Sequence, residues 1–86
     1  MMFFKFYDGD EEILLNANAV DKILIDEIDT KTNNGEPSTE YGIVTRGVRV
    51  PELLFCSPNP DRTEEVFADI VQQIADGATL ITIPEE

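Results

Sequence analysis

Arg62-Thr63-Glu64-Glu65-Val66-Phe67-Ala68-Asp69-Ile70-Val71-Gln72-Gln73-Ile74-Ala75-Asp76 carries its apolar residues at Val66, Phe67, Ile70, Val71 and Ile74. That spacing lays one apolar stripe along a helix of 3.6 residues per turn. Asp61 and Glu64 have the spacing of a capping box, with Asp in the usual Ser or Thr position. Glu64 and Glu65 suit the positive end of the helix dipole. Gly77 suits the stop. Asp76 in the last turn opposes the dipole. Burying the five stripe residues is worth roughly 1.5–3 kcal/mol each before entropy. The helix therefore predicts a sheet surface for it to lie on.

The rest of the chain reads as strands. Residues 78–83 alternate after the helix. Before it, Ser57-Pro58-Asn59-Pro60 stops a strand within residues 48–56, which Pro51 confines to an edge or a bulge. Tyr41 to Thr45 is a further strand with a turn at Arg46-Gly47. Residues 31–40 hold no aliphatic or aromatic side chain but do hold Asn33-Asn34-Gly35 and Pro37, the composition of a flexible loop. Residues 22–30 alternate Ile23 and Ile25 against Leu24 and Ile28. Asn16 to Val20 is a short connector with Asn16 or Asn18 placed to cap a single helical turn. Phe3 to Tyr7, Asp8-Gly9-Asp10 and Glu11 to Leu15 make an N-terminal hairpin. The expectation is an α+β fold: a five- to six-stranded, mostly antiparallel sheet with one helix on one face, in a single small domain. Residues 84–86 are an acidic tail.

Eighteen Asp and Glu against six Lys and Arg give a net charge of −12 over 86 residues, with no His and no Trp. Such a chain does not hold nucleic-acid phosphates or an anionic membrane surface. The 42% hydrophobic fraction argues against disorder despite the charge. The aromatic start is followed at once by acids, unlike an export signal, and a single cysteine forms no internal disulfide. Both point to a reducing cytoplasm.

Two segments carry a family resemblance. Phe4 to Ile23 (Phe-Lys-Phe-Tyr-Asp-Gly-Asp-Glu-Glu-Ile-Leu-Leu-Asn-Ala-Asn-Ala-Val-Asp-Lys-Ile) and Thr63 to Val71 (Thr-Glu-Glu-Val-Phe-Ala-Asp-Ile-Val) resemble the small bacterial flagellar and swarming proteins of the FlbD/SwrD type. The resemblance implies a hairpin, an Asn-initiated turn, a strand and a Glu-Glu-Val helix. It covers about a third of the chain and implies a layout, not a function. The chain departs from that family in its longer middle loop and in its C-terminal extension.

Chemistry-bearing groups are sparse. Catalysis by Cys56 or Ser57 needs a base, and there is no His. Asp8, Asp10 and Glu12 do not follow a calcium-loop spacing. No catalytic residue, cofactor or metal site is expected, so the chain reads as a non-enzyme. Two features remain for recognition. Phe4 and Phe6 point one way from the first strand and Phe3 and Tyr7 the other, so one face of this strand is apolar beyond what a single core requires. The acids Asp8, Asp10 and Glu12, with Asp26, Glu27 and Asp29, supply a field that steers a basic partner. The expected function is a protein-binding module that docks through an apolar sheet face or edge. The alternative is an inhibitor of the phage anti-defence kind that imitates nucleic acid in a basic groove. The expected partner is a protein, basic if charge selects it, or a second copy of the chain. Direct binding of nucleic acid or membrane is not expected.

Overall fold

A computed structural model describes residues 1–47 and 49–85. Val48, expected to open the fifth strand, and Glu86, in the acidic tail, lie outside the described residues. Strands β1 (Phe3–Asp8) and β2 (Glu11–Asn16) pair antiparallel around Gly9, whose φ of 62° is the left-handed conformation that glycine adopts without strain. A 3₁₀ turn over Ala17–Ala19 follows, and the Asn16 side chain accepts from the Asn18 N–H at 2.9 Å. Strands β3 (Val20–Lys31), β4 (Pro37–Gly47) and β5 (Leu53–Ser57) come next, then helix α1 (Pro60–Ala75) and strand β6 (Leu80–Thr82).

The α+β class stands, with one α-helix, six strands and mostly antiparallel pairing among the described residues, but the strands form two sheets rather than one. The first has the order β2-β1-β6 and the second β3-β4-β5. β6 returns from α1 to pair in parallel with β1, Phe4 opposite Ile81. This takes one edge of β1, and β2 takes the other. β5 packs against β1 without joining its ladder.

Three expectations about element ends are corrected. Residues 31–40 are mostly strand: β3 and β4 pair out to Lys31 and Pro37, and only residues 32–36 form the turn, closed by the Thr32 N–H on the Glu36 carbonyl at 2.9 Å. Polar Thr30, Ser38 and Thr39 continue the ladder because β-branched and hydroxyl side chains tolerate it once pairing has begun. The expected turn at Arg46-Gly47 is likewise the end of β4. The helix starts earlier than 62. Its cap is Asn59, not Asp61, with the Asn59 side chain accepting from the Asp61 N–H at 3.0 Å. Pro60 holds the first helical position, where a missing N–H costs nothing. The C-terminal end is as read. Gly77 at φ 79° lets the Ala78 N–H reach the Gln73 carbonyl and its own N–H the Ile74 carbonyl.

The core joins both sheets to the helix: Phe4, Phe6 and Ile81 from the first, Ile43, Leu54 and Phe55 from the second, Val66 and Ile70 from α1, and Ile83 beyond β6. The stripe of α1 is only partly buried. Val66 and Ile70 are enclosed and Phe67 is half-buried, but Val71 and Ile74 stay 48% and 41% exposed. A helix set over β4 and β5 and reaching β6 leaves its far flank beyond the cover of β3. Polar bonds fix both ends of α1. Thr63 Oγ1 donates to the Tyr41 carbonyl at 2.9 Å. The Gln73 amide donates to the Thr82 carbonyl at 3.0 Å and accepts the Thr82 N–H at 2.9 Å. The long β3–β4 arm draws the molecule out to 43 × 25 × 23 Å, with a radius of gyration of 13.2 Å. A compact chain of this length would have about 12 Å.

Ile70→Asp places a charge where nothing pairs with it, and the chain is expected to lose its folded circular dichroism signal. Gln72→Asp, on the solvent side, is expected to melt within a few degrees of the native protein. Gln73→Ala, one residue on, is expected to cost about 1–2 kcal/mol in urea unfolding, because it frees two β6 backbone groups.

Candidate protein-docking surfaces

Alternation along β1 divides its aromatic residues as expected, and packing then assigns them. Phe4 and Phe6 face α1 and are buried. They belong to the core and are not a surface for a partner. Phe3 and Tyr7 face outward and are half-buried. The two-residue Gly9-Asp10 turn sets the register, with Lys5 opposite Leu14 and Tyr7 opposite Glu12. The parallel pairing sets Phe3 beside Leu80. The outer face of the first sheet thus carries Phe3 beside Leu80 and diagonal to Leu14, with Lys5 directly opposite Leu14; the two leucines are 46% and 62% exposed. Phe3 and Leu14 line an open hollow that Asn16, Asn18 and Arg49 also border. At the Tyr7 end the face meets β5, where Tyr7 and Gly9 line an open groove with Leu54, Phe55, Cys56 and Pro84. Leu14 was legible in the hairpin register, since a two-residue turn puts it on the face of Phe3 and Tyr7. Leu80 was not, because its pairing is remote in sequence.

The acids are dispersed. Asp8, Asp10 and Glu12 stand exposed at the β1–β2 tip. Glu12 Oε1 accepts from Lys5 Nζ at 2.9 Å, and this hydrogen bond and charge raise the Lys5 pKa above its ordinary value. Asp26, Glu27 and Asp29 are exposed on β3 but do not share a face. Asp26 lies on the outer face of the second sheet, 3.5 Å from the Arg46 guanidinium. Glu27 and Asp29 lie on the face turned to α1, where Glu27 pairs across with Tyr41.

The second sheet also has an apolar outer face, made by Leu24, Ile28, Val44 and Leu53. Its members cover one another only in part, since Leu53 is 42% exposed. A Cβ on Gly42 would lie 2.5 Å from Ile28 Cδ1 and 2.8 Å from Leu53 Cδ1, so these two side chains close over the glycine backbone. Cys56 is half-buried on the same face. Among the described residues no three His, Cys, Asp or Glu side chains group as a metal ion requires, and no helix is long and apolar enough to cross a membrane.

Compared with known proteins, the chain matches no family model, no curated protein and no solved structure.

Adjacent aromatic residues test the assignment. Phe3→Glu is expected to keep native circular dichroism and a cooperative melt. Phe4→Glu is expected to abolish both, because it buries a charge in the core.

Proposed function

We propose that the protein is a non-enzymatic docking module. It binds a basic protein through the outer face of its N-terminal sheet, with Phe3 at the centre and Leu14 and Leu80 beside it. The observation that carries this reading is the exposure of Leu14 and Leu80 around the half-buried Phe3 on the outer face of the first sheet. Contacts there supply the affinity, since aromatic and aliphatic anchors dominate interface energies. Charge acts differently. A single exposed ion pair is worth only about 0–1 kcal/mol. A net −12 instead raises the encounter rate with a positive partner and repels other acidic proteins.

Docking with steering is favoured over imitation of a nucleic acid. An imitator needs its carboxylates in a row on one surface, whereas Asp26 is separated from Glu27 and Asp29 by the sheet itself.

The test is capture of basic proteins from source-cell lysate on the immobilised chain at about 0.05 M and about 0.5 M salt, across which the screening length falls several-fold. The expected outcome is retention at low salt, release at high salt, and loss of the same proteins with Phe3→Glu. Retention that ignores both salt and the Phe3 substitution would refute the reading. A dimer in light scattering that Phe3→Glu dissolves would assign the face to a second copy instead.

A further inference from the structure

The two sheets treat their free edges differently. The outer edge of β6 is occupied: the Gln73 amide gives and takes the hydrogen bonds of Thr82 as a neighbouring strand would. The outer edge of β3 is longer, spanning Val20–Lys31, and among the described residues no strand pairs with it.

What stands beside that edge is a graded surface. Gln73 points to β6, so the opposite flank of α1, with Phe67, Val71 and Ile74 at i, i+4 and i+7, points toward β3. This is the flank whose Val71 and Ile74 are about half exposed. On β3, Ile23 and Ile25 share the face turned to α1, followed by Glu27 and Asp29. The helix is graded the same way. Glu64 lies one turn before Phe67 and two before Val71. Thr63 bonds the Tyr41 carbonyl, and Tyr41 pairs with Glu27, so the first turn of α1 is level with Glu27. Both walls therefore run from apolar to acidic in one direction.

We propose that the open edge of β3 receives an extended segment of a basic protein, added to the sheet as a fourth strand beneath the α1 flank. Backbone groups supply the pairing, as in other cases of strand addition. The inward positions of the added strand, alternate along the chain, are apolar beside Ile23 and Ile25, where they cover Val71 and Ile74. They are Lys or Arg beside Glu27 and Asp29. Opposite charges across adjacent strands are favourable and like charges are not. The same rule disfavours a second copy at this edge, because β3 brings Asp21, Asp26, Glu27 and Asp29 against Lys22 and Lys31, on a chain of net −12. The inference shares with the proposed function only the basic character of the partner; the edge and the Phe3 face lie on different elements and are tested by different variants.

The experiment is selection from a displayed library of random dodecapeptides against the full chain at low salt. The expected peptides have two apolar residues and then two basic ones at alternate positions. On binding, alternate amides of β3 are expected to slow in hydrogen exchange. Val71→Lys, and Glu27→Lys combined with Asp29→Lys, are each expected to weaken a selected peptide about tenfold. All these positions are exposed, and native circular dichroism verifies that the variants are folded. Gln72→Lys adds the same charge on the other side of the helix and is expected to leave the affinity within about twofold. Retention of no peptide, peptides without the alternation, protection elsewhere than β3, or affinities blind to Val71 and Glu27 would each overturn the proposal. So would a dimer of the unliganded chain that Val71→Lys dissociates.

Discussion

Everything in this fold depends on α1 being held to both sheets at once. Neither three-stranded sheet has enough apolar cover of its own, and β1 and β5 touch without sharing a ladder. Val66 and Ile70 fill the space between Phe4, Phe6 and Ile81 on one side and Ile43 and Phe55 on the other. The polar bonds at Thr63 and Gln73 then fix where along each sheet the helix lies. Apolar packing is non-directional and would tolerate sliding; a fully buried threonine hydroxyl satisfied by one particular carbonyl does not. With a small margin of stability typical of domains this size, the position of one helix governs what the rest of the surface can be.

That position determines what is left uncovered. Helix α1 lies over β4, β5 and β6 and only reaches β3, so among the described residues the outer faces of both sheets and the outer edge of β3 are left open. The three open regions are not equivalent. On the outer face of the second sheet, Ile28 and Leu53 close over Gly42, and Leu53 keeps 42% of its surface in water. On the first, Leu14 and Leu80 have no larger neighbour than Phe3 and remain in water. Apolar exposure is informative in the second case because local packing has not already resolved it.

Much of the secondary structure was legible because it is local. The hairpin at Gly9, the Asn16 cap and the Gly77 stop are each written within a few residues, and period-2 alternation correctly separated Phe4 and Phe6 from Phe3 and Tyr7. Which pair is the core was not legible, since both faces of β1 are aromatic and only the return of β6 decides between them. The same non-local pairing divides one expected sheet into two. Local signals also competed. Asn59 and Asp61 are both competent caps, and the fixed φ of Pro60 selects the earlier one. Residues 37–40 read as loop by composition and are strand because Ile28, Asp29, Thr30 and Lys31 hold them in register. At the candidate site the six acids are all exposed, as charged side chains without buried partners must be. Their division between opposite faces follows from the same alternation that placed the aromatics.

The edges show why so much negative charge is compatible with an open architecture. A two-sheet fold of this size has four free edges, each a template for unwanted pairing. β6 is only Leu80–Thr82 and is capped by Gln73; β2 is short and begins at Glu11 and Glu12. β5 lies against β1. β3 has none of these protections, and it carries Asp21, Asp26, Glu27 and Asp29. Charge is the one means of protection that leaves the backbone of an edge accessible. It excludes strands of the same sign, including those of the chain's own copies, and admits strands of the opposite sign. An edge defended by length, by a cap or by packing is closed to every partner; an edge defended by charge is closed selectively.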